Sequence, residues 1–188
     1  MTINSLLQAS FNVDEEGAAQ MSKLFQKETI KKGEFFLKTK QYCDRLSFIE
    51  SGFLRLFALE GDKEITQWIS TKGNFVTDIA SFLFGLRARW NIQALSDCEI
   101  LTIRKSDYIT LKKDFPNWTE IENGFLSVCF ITLENRVFNH LSLTAEQRFD
   151  ELVAYNKELL NHVPLQYIAS MLGMSPETLS RIRQKKFS

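Results

Sequence analysis

The chain has 188 residues, 44% of them hydrophobic, and its 23 basic and 23 acidic side chains give a formal net charge of zero. That length can bury a sizeable core, and the neutral total means that any charge signal for nucleic acid must be local. No run approaches the ~18 apolar residues of a membrane span, and three widely spaced cysteines, Cys43, Cys98 and Cys129, suit a reducing compartment better than a disulfide framework.

The opening MTINSLLQASFNVDEEGAAQ has no basic stretch followed by an apolar run, so no secretory signal is expected and the chain reads as cytoplasmic. Leu6, Leu7, Met21, Leu24 and Phe25 recur at helical intervals across 1–26. From about Glu28 to Arg104 the texture changes to short runs rich in aromatic and β-branched residues: LSFIE, FLRLFALE, EITQWIS, WNIQAL and EILTIRK. Breaks at Gly33, Gly52, Gly61-Asp62 and Gly73 separate them, which predicts strands. In FLRLFALE, Leu54, Leu56 and Ala58 share one face and Arg55 takes the other, the period of a half-buried strand. Short strands at regular spacing predict a sandwich or barrel rather than βαβ units. After Gly73, NFVTDIASFLFGLRARW begins as a helix and ends as a basic loop, and such an interruption of a barrel points to a pocket.

Beyond Asp107 the pattern is helical. WTEIENGFLSVCFITLENRVFNHLSL contains no proline and is apolar on two sides. Ile121, Phe125, Val128 and Thr132 mark one stripe; Leu126, Phe130, Leu133, Val137 and Leu141 mark the other. Two apolar stripes require two partners, here a β-domain and a second copy of the helix.

In LQYIASMLGMSPETLSRIRQKK the residues are those of two short helices crossing over a tight turn. Ala169 supplies the small contact and Gly173 the turn. Ile168, Leu172, Met174, Leu179 and Ile182 face a core, Ser175 caps the second helix, and Pro176 suits its first position. The outward face is then Pro176, Glu177, Ser180, Arg181 and Gln184. On DNA, Arg181 can donate twice to guanine and Glu177 can accept from cytosine, while Ser175, Thr178, Arg183, Lys185 and Lys186 can hold phosphates. From Pro176 to Ser188 there are four basic residues and one acidic, a basic tip within a neutral chain.

Enzyme chemistry is disfavoured. The two histidines, His140 and His162, form no metal-ligand spacing with the cysteines, and no phosphate loop, G-x-S-x-G or H-E-x-x-H occurs. No catalytic or metal-binding residues are assigned.

IKKGEFF, LSFIESGFLRLF, GNFVTD, QALSDCEILTI, LTAEQRFDELV and VPLQYIASMLGMSPETLSRIR together resemble the Crp/Fnr transcriptional regulators, in particular their short Bacteroidetes-type form. The resemblance implies an α+β chain in three parts. These are a double-stranded β-helix of cyclic-nucleotide-binding type (1–117), a dimerisation helix (118–142) and a C-terminal helix-turn-helix (143–188). It implies a homodimer on an imperfect DNA palindrome, a small-molecule effector of unknown identity, RNA polymerase as a protein partner, and no membrane. It places Glu177 and Arg181 at base-reading positions and Ser175 and Thr178 at phosphate contacts.

In relatives that bind cyclic AMP, a Gly-Glu pair opens a phosphate cassette and an Arg-Ser/Thr pair closes it. Here Thr77 and Asp78 stand at the first pair, Ala88 and Arg89 at the second, and Arg87 flanks it. Ala88 cannot pair with a phosphate, so no cofactor is assigned and cyclic AMP is disfavoured. Iron–sulfur and haem sensing lack their ligands. The alternative is a small-molecule or protein-binding sensor whose DNA-binding end is vestigial.

Overall fold

Two capping side chains start the first two helices. Thr2 forms a capping box with Ser5 at α1 (Ile3–Phe11), and Asp14 accepts from the Gly17 N–H at 2.8 Å to begin α2 (Glu15–Ser22). The computed structural model describes residues 2–187.

Eight strands follow: β1 (Gln26–Ile30), β2 (Phe35–Leu37), β3 (Arg45–Ser51), β4 (Phe53–Glu60), β5 (Lys63–Thr71), β6 (Phe75–Val76), β7 (Asn91–Ala94) and β8 (Cys98–Arg104). They pair antiparallel in two four-stranded sheets, ordered β1-β8-β3-β6 and β2-β7-β4-β5. Leu46, Ile49 and Ile100 of the first sheet meet Leu54 and Ile92 of the second in one buried cluster, which makes the domain a β-roll. At the β3–β4 turn Gly52 has φ +94°, and a Cβ there would lie 2.5 Å from the Asp97 carbonyl, so only glycine fits. A short helix, α3 (Ile79–Phe84), interrupts the roll before the loop that leads to β7.

After the roll come α4 (Lys105–Asp114), α5 (Trp118–Ser142), α6 (Ala145–Asn156), α7 (Leu159–His162), α8 (Leu165–Met171) and α9 (Pro176–Phe187). The start of α5 is seated on the roll. Trp118, Ile121 and Phe125 are buried, the Phe125 ring stacks on Phe11 at 4.6 Å, and Glu122 accepts from the Tyr108 hydroxyl at 3.0 Å. A 25-residue helix is about 37 Å long and outruns this seat. Val128 and Thr132, which share a stripe with Ile121 and Phe125, are therefore exposed. Phe130, Leu133, Val137 and Leu141 are exposed as well, Leu141 by 82%.

The outer face of the second sheet departs from the expected alternation. Arg55 is only 1% exposed, although its neighbour Leu54 already faces the roll interior. The cause is a second core. Phe53 and Ile69 join Phe149, Leu152, Leu159, Ile168, Leu172, Leu179 and Ile182, so the C-terminal helices cover the side of β4 and β5 that a half-buried strand would give to water. No helix among the described residues is long and apolar enough to cross a membrane.

Candidate functional site

The C-terminal helix pair is built as its residues require. Ala169 and Leu179 are fully buried where α8 meets α9, and Ile168, Leu172 and Ile182 join the same core. Gly173 makes the turn at φ +64°. The Ser175 hydroxyl caps α9 by accepting from the Thr178 N–H at 3.2 Å, and it also contacts the Thr178 hydroxyl. Pro176 then takes the first helical position, where no amide donor is missed.

These constraints leave one face of α9 open. Pro176, Glu177, Ser180, Arg181 and Gln184, together with Leu165, line a shallow groove. Arg181 is exposed, Ser180 and Arg183 are half-buried at its sides, and the Glu177 carboxyl is held below its usual range by hydrogen bonds from the Ser175 side chain and the backbone. The groove thus presents an anion and a cation side by side to solvent. Lys185, one turn beyond Arg181, and Lys186 pair with Glu146 and Asp150 of α6 at 3.2 and 2.9 Å. Both pairs are partly solvated, so each contributes little to stability.

Sequence reasoning missed how this module is fastened to the roll. Arg55 donates from Nε to Thr66 Oγ1 at 2.9 Å, pairs with Glu64, and lies between the Phe57 and Tyr167 rings at 4.3 and 3.7 Å. β5 is the edge of its sheet, and its free Thr66 N–H is taken by Ser170 of α8 at 2.9 Å. A charge inside the apolar run FLRLFALE was the available signal, since a strand that gave that face to water would not need Phe53 and Phe57 beside it.

The segment expected to form a pocket is stitched shut by its own backbone. Asp78 is buried; its Oδ1 caps α3 by accepting from the Ser81 N–H at 3.0 Å, and its Oδ2 accepts from the Arg89 N–H at 3.1 Å. Thr77 donates to the Arg45 carbonyl at 2.9 Å. Ala88 is buried and exchanges backbone hydrogen bonds with Lys40 and Gln41. Arg87 and Arg89 are exposed: Arg87 donates to the Lys40 carbonyl and lies over Tyr42, and Arg89 lies over Trp90. The alanine position faces inward and both arginines face outward.

Residues 27–114 match the cyclic nucleotide-binding domain family. No curated protein matches the chain. Among solved structures, the chain is similar to the catabolite activator protein of Thermus thermophilus, with 20% identity, a TM-score of 0.61, and coverage of 96% of this chain and 85% of that one. It is also similar to FixK2 of Bradyrhizobium japonicum, with 14% identity, a TM-score of 0.69, and coverage of 86% and 83%. A third is the c-di-GMP-responsive global regulator CLP of Xanthomonas campestris, with 17% identity, a TM-score of 0.64, and coverage of 92% and 91%. At these identities the likeness is one of fold: a β-roll, a long helix and further helices.

A cyclic nucleotide's phosphate does not fit the residues that occupy the cassette here. An inward cation is absent at Ala88, and both Asp78 oxygens already serve the backbone. Thermal unfolding is accordingly expected to be unchanged by millimolar cyclic AMP, whereas a ligand at a hundredfold over its Kd would stabilise the fold by about 2.7 kcal/mol. A shift of several degrees would show that Arg87 or Arg89 turns inward.

Proposed function

We propose that this chain is a cytoplasmic, homodimeric DNA-binding transcription regulator of the Crp/Fnr type. In this reading residues 1–117 form the sensor roll, 118–142 the dimerisation helix and 143–188 the helix-turn-helix. The observation that carries it is the open α9 face, where Arg181 and Glu177 lie exposed on a capped helix whose other side is pinned into a core. In a dimer the two α9 helices would enter successive major grooves of an imperfect palindrome, one DNA turn apart. Glu177 and Arg181 would read base edges, with Pro176 and Ser180 lining the contact. Ser175, Thr178, Arg183 and Lys185 would hold phosphates. On promoter DNA the protein partner would be RNA polymerase, and an effector other than cyclic AMP would set the orientation of the helices.

The test selects a DNA site from random sequence and titrates the protein against it at several salt concentrations. The logarithm of affinity should fall with the logarithm of salt, with a slope of about −0.9 per phosphate neutralised. Arg181→Ala should cost roughly 1–3 kcal/mol and relax the preference at one base pair per half-site. An unchanged preference would remove Arg181 from the reading role. No binding at any salt would leave a sensor whose helix pair is vestigial.

A further inference from the structure

A cavity of about 170 Å³ lies where the roll, α5, α6 and α8 meet, and it has no part in the function proposed above. Trp68 of β5 and Tyr155 of α6 form one corner, their rings 5.6 Å apart and tilted by 54°. Leu152 and Met171 add apolar wall. A cavity of ~150 Å³ is known to admit benzene, whereas drug-sized ligands need roughly 300 Å³ or more. The space therefore suits one ring with a small substituent, and a nucleotide is too large.

The charge lining it is unbalanced. Arg136 and Arg148 both face the cavity, with His140 beside them and Glu151 as the sole carboxylate in the lining. A β-bulge explains how Arg136 is held. Leu56 pairs with Trp68 and Phe57 with Thr66, so Gln67 is left over, and its carbonyl accepts from Arg136 Nη2 at 2.6 Å. The Arg136 guanidinium lies 4.4 Å over the Trp68 ring, and burial lowers its pKa to about 10. Arg148 donates to the Leu172 and Leu143 carbonyls at 2.8 and 2.7 Å.

Among the described residues neither arginine forms an ion pair with a carboxylate, Glu151 included. A guanidinium has five N–H donors, so both arginines retain donors beyond those spent on carbonyls. Both guanidiniums are partly withdrawn from water without a counter-ion, and an anion seated between them offsets that cost.

We propose that this cavity binds a small planar carboxylate, an aromatic acid of about the size of benzoate. Its carboxylate would lie on Arg136 and Arg148 and its ring against Trp68 and Tyr155. Guanidinium groups match a carboxylate's two oxygens in geometry as well as charge. The ligand would touch the roll, the long helix and the C-terminal helices at once. Any influence on DNA rests on the regulator reading, so the binding test omits DNA and stands whether or not that reading holds.

The experiment is isothermal titration calorimetry of the full chain at low salt with benzoate and with benzamide, its neutral counterpart of equal shape. Benzoate should bind with a Kd below about 1 mM and benzamide about tenfold more weakly or not at all. Arg136→Gln should abolish the difference. Because Arg136 also holds the Gln67 bulge, a second variant guards against misfolding. Glu151 is exposed at the rim, so Glu151→Gln should fold normally and tighten benzoate several-fold by removing a like charge. Equal affinity for the two compounds, no heat with benzoate at about 10 mM, or benzoate binding indifferent to both substitutions would each overturn the proposal.

Discussion

Val137→Glu should leave the protomer folded, convert the proposed dimer to a monomer, and weaken its proposed operator binding by about 10²–10⁴-fold, the range over which linking two binding modules raises avidity. Val137 sits at the centre of the stripe Phe130, Leu133, Val137 and Leu141, and it is 53% exposed in the single chain. Nothing in the protomer's own core depends on it, and glutamate has a better helix propensity than valine. The protomer should therefore melt no earlier than the parent. In a twofold dimer through α5 the same stripe meets itself, so two carboxylates enter an apolar seam together, unpaired and alike in charge. Sedimentation equilibrium separates the outcomes. A variant that remains dimeric would place the interface elsewhere, and a monomer with full operator affinity would mean that one α9 suffices.

Much of this architecture is legible in local pattern. The five runs from LSFIE to EILTIRK are β3, β4, β5, β7 and β8, because alternation and glycine breaks are properties of neighbouring residues. β1, β2 and β6 leave no such trace. QKETI is an edge strand with mostly exposed side chains, and the other two have three and two residues, too few to show a period. Ala169, Gly173 and Leu179 can be assigned from spacing alone, since a tight crossing of two helices tolerates few residue types. The orientation of Arg55 cannot. Its surroundings are set by Tyr167 and Ser170, more than a hundred residues downstream, and strand period says which side a residue faces but not what covers that side. The same limit applies to Arg136, whose partner is a carbonyl released by a bulge at Gln67. It applies again to Val128 and Thr132, where helix period predicts a shared stripe but not where the roll beneath it stops.

Arg55→Ala is expected to destabilise the chain by about 2–4 kcal/mol, and to loosen the C-terminal helices before the roll. Three contributions are removed together. The guanidinium loses its place between two rings, where a desolvated cation–π contact is worth about 2 kcal/mol. It also loses its bond to Thr66 and its pairing with Glu64. The pairing is the smallest of these. Glu64 is 44% exposed, so its carboxylate returns to water at little cost, and Glu64→Ala alone should cost less than about 1 kcal/mol. Arg55→Lys keeps the charge but not the planar stack, and it should fall between the two. The contrast decides whether stacking or ion pairing fastens the module. Amide exchange localises the effect: the Thr66 N–H, bonded to Ser170, and the amides of α8 and α9 should lose protection first, while those of β3 and β8 keep theirs. Uniform loss across both domains would show that Arg55 supports the sheet rather than the junction. A Glu64→Ala cost equal to that of Arg55→Ala would assign the fastening to the ion pair.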